Sequence, residues 1–102
     1  MFWTPFSESF VSVSERAWRI SGRVQGVGYR RWAVRAAASL GVSGRVWNAP
    51  EGFVELHAKG PNEVLDQLQE RLWVGPLFAK VTSVEAVTPE GPFPAAGLEV
   101  IY

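Results

Sequence analysis

From Ala17 onward apolar and polar positions follow regular periods. Trp18, Ile20 and Val24 alternate with Arg19, Ser21 and Arg23, the period of two expected of a half-buried strand. A glycine-rich turn follows from Gly22 to Gly28. Tyr29, Trp32, Ala33, Ala36, Ala37 and Leu40 then fall on one face of a helix ended by Gly41, while Arg30, Arg31 and Arg35 occupy the other face. Val42, Gly44, Val46 and Asn48 alternate with Ser43, Arg45 and Trp47 in a second strand. Ala49 to Gly52 is a hairpin connection, and Val54, Leu56 and Ala58 alternate with Phe53, Glu55, His57 and Lys59 in a third. Pro61 opens a second helix with Glu63 and Asp66 near its positive end and Val64, Leu65, Leu68 and Leu72 as its stripe. Gly75-Pro76 stops it. A fourth strand is expected over Lys80 to Thr88, a Pro-Gly loop over Pro89 to Gly97, and a short fifth strand through Leu98, Val100 and Tyr102.

Strand, helix, strand, strand, helix, strand is the ferredoxin-like βαββαβ plan. The expected fold is therefore an α+β sandwich, with an antiparallel-rich sheet, two helices on one face and an added C-terminal strand. Right-handed crossovers put the first and third strands at its centre.

Composition narrows the class. The chain has 102 residues, 47% of them hydrophobic, and no cysteine, so a core without disulfides or thiolate-bound zinc is expected, and thiol chemistry is excluded. No apolar run approaches the roughly 20 residues that span a bilayer, and the first residues lack the pattern of a signal peptide. A cytoplasmic location is the expectation. Residues 1–15 read as an extension before a single domain over 16–102; Phe2, Trp3, Phe6 and Phe10 make it too aromatic for a plain solvated tail.

Net charge is zero, but the charges are sorted. Seven arginines and no acid lie between Arg16 and Pro50, whereas the remainder holds three bases against ten acids. An anion is expected near the first third. Within it, Gly22-Arg23-Val24-Gln25-Gly26-Val27-Gly28-Tyr29-Arg30 joins a strand to a helix start, where free N–H groups and the helix dipole favour a phosphate-sized anion. Gly26 and Gly28 let successive N–H groups converge, and Arg30 offers a forked guanidinium. A cation in the first helical turn costs about 0.3–1 kcal/mol, which a bound anion would offset. Glycines alone would equally serve a tight turn. The spacing matches neither G-x-G-x-x-G nor a Walker loop.

The basic third has no carboxylate or histidine to act as base or metal ligand, so positioning and electrostatic stabilisation are what it offers. That suffices for a substrate with a good leaving group. The single histidine, His57, is expected on the solvent side of the sheet by alternation. Asn48 faces the helix-covered side at the end of its strand. It either caps the following turn or holds a water beside a bound phosphate.

At these residues the sequence resembles the acylphosphatase family: the loop from Gly22 to Arg30 looks like its first motif, and Gly44-Arg45-Val46-Trp47-Asn48 followed by Gly52, Val54 and Gly60 like its second. The resemblance covers residues 17–102. It implies cofactor-free and metal-free hydrolysis of the carboxyl-phosphate anhydride of small acyl phosphates, with inorganic phosphate as product or inhibitor. Arg30 then matches the phosphate-binding arginine, the main chain of Gln25, Gly26, Val27, Gly28, Tyr29 and Arg30 the phosphate cradle, and Asn48 the residue that orients the water. Tyr29 replaces the usual phenylalanine, and Arg45 and Trp47 are atypical, with both of the latter directed to the open sheet face. The N-terminal aromatics or a second subunit are expected to cover that face around Trp47 and Phe53; a monomer or weak dimer is expected. The alternative is a non-catalytic domain of the same shape that binds a phosphorylated ligand or partner. RNA binding, which the same strand order serves elsewhere, is disfavoured because Phe53 is the sole aromatic on the open face of the two central strands.

Overall fold

The computed structural model describes residues 13–102. The elements are β1 (Val13–Arg23), α1 (Tyr29–Leu40), β2 (Ser43–Asn48), β3 (Val54–Pro61), α2 (Asn62–Val74), β4 (Lys80–Val87) and β5 (Leu98–Ile101). They form the expected α+β ferredoxin-like sandwich. The sheet order is β4-β1-β3-β2-β5, with β5 parallel to β2 and the other pairs antiparallel.

β1 begins at Val13, four residues before the alternation in sequence becomes regular, because its first residues pair with Gly60 and Pro61 at the far end of β3. The aromatics of the N-terminal extension lie outside the described residues. Pro61 is the last residue of β3 and caps α2 at φ −63° and ψ 146°, rather than sitting inside its first turn. Extended backbone suits a proline that ends a strand.

The inward faces of β1, β2 and β3 bury Trp18, Ile20, Val46, Val54 and Leu56 against Ala33, Ala37, Leu65, Leu68 and Leu72 of the two helices. Polar side chains at the edge of this layer tie β1 to α2. The Trp18 indole donates to Gln69 at 3.0 Å, and Arg16 bridges β1 to the start of α2 through Asp66 at 2.7 Å. α1 ends at Gly41, whose left-handed backbone directs its N–H to the last helical carbonyls.

The open face differs from expectation at His57. It is 3% exposed, not solvent-facing. Alternation does place it opposite Leu56, but the segment after β4 folds across that face: the Glu90 N–H donates to His57 Nδ1 at 3.0 Å, and Trp47 stacks on the imidazole at 5.1 Å. Residues near Glu90 thus cover part of the surface assigned to the N-terminal extension or a second subunit.

Candidate active site

Gly28 immediately precedes α1 with φ +81°, and Gly26 has φ +77°. Left-handed backbone is strained for other residues, and here it swings the chain from the β1 end into the helix axis. Among the described residues no side chain caps α1; its first turn holds no acid, and its first internal hydrogen bond is Trp32 N–H to Gly28 C=O at 3.0 Å. The N–H groups of Tyr29, Arg30 and Arg31 are left over as donors without a helical partner.

They open on a cavity of about 370 Å³. Gly26, Gly28 and Arg30 form one side, Asn48 a second, and Val100 with Tyr102 a third. Arg30 and Asn48, 18 positions apart in sequence, therefore meet at one pocket. Their meeting follows from topology: β1 and β2 both flank β3, so the loop after β1 and the end of β2 emerge on the same side of the sheet. The Arg30 guanidinium lies 5.1 Å from the Tyr102 ring centroid and takes part in none of the ion pairs among the described residues. Among the described residues no Asp or Glu lines the cavity, so an anion there meets two arginines, Arg30 and Arg31, without a competing acidic side chain from them.

The six main-chain positions of the expected cradle divide. Gly26, Gly28, Tyr29 and Arg30 line the cavity; Gln25 and Val27 do not. The Gln25 side chain turns to the β2–β3 hairpin, and Val27 lines a separate groove with Trp32 and Phe78. The Tyr29 side chain leaves the pocket altogether. It is 1% exposed, its hydroxyl donates to the Leu72 carbonyl at 2.6 Å, and burial pushes its pKa up, so it remains a protonated donor.

Five lining residues lie outside the expected site: Val24, Arg31, Val34, Val100 and Tyr102. Val100 and Tyr102 arrive through the parallel pairing of β5 on β2, which sets Val100 beside Val46. Their alternation with Leu98 signals a strand but does not say which edge it joins. The atypical Arg45 and Trp47 face the other side as expected: Arg45 lies over the Trp47 ring at 5.4 Å and donates to the Glu90 carbonyl. Among the described residues, no three His, Asp or Glu side chains gather as a metal set, and no helix is long and apolar enough to cross a membrane.

The sequence model of the family described as Acylphosphatase matches residues 16–94. An acylphosphatase of Solibacter usitatus is 48% identical over 80 residues, which cover 78% of this chain and 83% of that protein. One from Thermus thermophilus is 48% identical over 66 residues, 65% and 75% of the respective chains. The crystal structure of acylphosphatase from Bacillus subtilis superposes with a TM-score of 0.78 at 28% identity, over 89% of this chain and all of that one.

Proposed function

The chain belongs to the acylphosphatase family, an enzyme family, and from that membership we propose that residues 16–102 hydrolyse small acyl phosphates to carboxylate and inorganic phosphate in the Arg30–Asn48 pocket, without a metal. The observation that carries this reading is the meeting of helix-start N–H groups without helical partners, Arg30 and Asn48 around one cavity that has no Asp or Glu in its wall among the described residues.

The phosphoryl group sits on the main-chain N–H groups of Gly26, Gly28, Tyr29 and Arg30, with the Arg30 guanidinium against its equatorial oxygens, where the transition state spreads charge. The Asn48 carboxamide holds a water opposite the acyl oxygen. Water oxygen bonds to phosphorus as the phosphorus–acyl oxygen bond breaks, and the bonding pair leaves on the carboxylate. A carboxylate has a pKa near 4, so it departs at neutral pH without a proton donor. The proton of the water passes to a phosphate oxygen, which is why the pocket needs no protein base. Val34, Val100 and Tyr102 give the cavity an apolar wall suited to the acyl group.

The test is hydrolysis of benzoyl phosphate by purified protein with EDTA present and inorganic phosphate as competitive inhibitor. Arg30→Ala is expected to lower kcat/KM by about 10²–10³-fold and to weaken inhibition by phosphate. Asn48→Ala is expected to lower kcat by about 10²-fold with phosphate inhibition nearly unchanged. Absence of hydrolysis above the spontaneous rate, with phosphate still bound, would leave a non-catalytic phosphate-binding domain in place of the enzyme.

A further inference from the structure

The two halves of the pocket come from separate parts of the chain, and one side chain outside the cavity joins them. Gln25 Nε2 donates to the Ala49 carbonyl at 2.8 Å and to the Phe53 carbonyl at 3.0 Å. A carboxamide nitrogen has two hydrogens, and both are used.

The acceptors are the carbonyls that frame the β2–β3 hairpin. Phe53 C=O also receives the Ala49 N–H at 2.8 Å, and Ala49 C=O also receives the Gly52 N–H at 3.0 Å. Each oxygen therefore has two donors for its two lone pairs. Ala49, the residue directly after Asn48, is buried. The β1–β3 ladder ends at Ile20–Val54 and the β2–β3 ladder at Asn48–Val54, so residues 49–53 project beyond both. β1 reaches them at the ring of Phe53, where the Arg19 guanidinium lies 5.0 Å from the centroid. Gln25 is their tie to the glycine loop.

We infer that Gln25 is a positioning residue that fixes Asn48 relative to the phosphate cradle; this rests on Asn48 orienting the attacking water. The hairpin keeps its own closing bonds without Gln25, and the glycine loop keeps its backbone. What depends on the Gln25 carboxamide is the distance between them. That distance sets whether the water held by Asn48 lies in line with the phosphorus, and a misplacement of about 1 Å at a reacting centre costs as much as roughly 10²-fold in rate.

The experiment is a double-mutant cycle on benzoyl phosphate hydrolysis, with thermal melts to confirm folding. Gln25→Leu, which cannot donate, is expected to lower kcat by about 10–100-fold while KM and the inhibition constant of inorganic phosphate stay within about threefold. In the Asn48→Ala background the same substitution is expected to change kcat by less than about twofold, since there is no oriented water left to misplace. Gln25→Glu supplies a second readout. As a carboxylate it faces two carbonyls and donates nothing, whereas its protonated form donates one O–H, so its kcat relative to wild type rises as pH is lowered.

If folded Gln25→Leu keeps wild-type kcat, if its loss multiplies unchanged onto Asn48→Ala, or if the loss falls on phosphate inhibition alone, the positioning role is overturned. A flat kcat ratio between Gln25→Glu and wild type across pH counts against it equally. If Asn48→Ala itself leaves kcat unchanged, the water-orienting reading of Asn48 fails first, and the role of Gln25 falls with it.

Discussion

Tyr29 stands at the pocket with its main chain and in the core with its ring. The hydroxyl is the only donor that reaches the Leu72 carbonyl from α1 among the described residues, and that carbonyl belongs to the last turn of α2, where helical partners run out. Space for the ring depends on Gly75, since a Cβ there would lie 2.9 Å from a ring carbon. The extra hydroxyl relative to phenylalanine therefore fastens the start of α1 to the end of α2. Tyr29→Phe is expected to cost about 1–2 kcal/mol by leaving a buried acceptor unpaired. Thermal unfolding measures it, and each kcal/mol corresponds to about 4–8 °C in a domain of this size. An unshifted melting temperature would mean that the carbonyl finds water instead.

At the scale of elements, the segment between β4 and β5 is held down through the main chain of Glu90. Its N–H donates to His57 Nδ1, and its carbonyl accepts from Arg45. With Nδ1 accepting, the imidazole proton belongs on Nε2, which lies 2.7 Å from Glu55 Oε2; Arg19 Nε donates to Glu55 Oε1 at 3.1 Å. Burial alone would raise the Glu55 carboxyl, but the hydrogen bonds from His57 and Arg19, with the charge of Arg19, outweigh it and hold it below the usual carboxylate range. A depressed folded pKa stabilises the protein above the unfolded value and loses that stabilisation as pH falls through the folded one. The stability of wild type is thus expected to decline as pH drops below about 4.5, the ordinary carboxyl value, and Glu55→Gln is expected to flatten that limb in denaturant titrations. Equal acid limbs would remove Glu55 as a source of the decline.

This same region marks where a sequence stops being legible. Alternation shows the inward side chains of β1, β2 and β3 because each strand carries its own period, and the glycine loop and the strand end make Arg30 and Asn48 candidates, which the structure brings to one cavity. Alternation cannot show what covers the other face. The burial of His57 comes from Glu90, 33 positions away, and the apolar wall of the pocket comes from Val100 and Tyr102 through an edge pairing. Local period reports which side of an element is apolar; partners distant in the chain decide which polar side chain ends up covered.

At the scale of the whole molecule, the order β4-β1-β3-β2-β5 contains one hairpin pairing, β2–β3, and three between strands distant in sequence. Ordering a long loop has to precede each distant pairing, so folding is slowed by the entropy of closure. Refolding followed by tryptophan fluorescence is expected over about milliseconds to seconds rather than microseconds. A microsecond phase that carried the full amplitude would contradict this.

The sheet order also sets when the site comes into being during synthesis. β1 is made first yet lies between β3 and β4, so it waits for both, and Val100 and Tyr102 leave the ribosome after every other residue of the cavity wall. A nascent chain that still lacks them has its glycine loop and Arg30 but not the finished cavity, so the acyl-phosphate site proposed above is complete only once Val100 and Tyr102 have emerged.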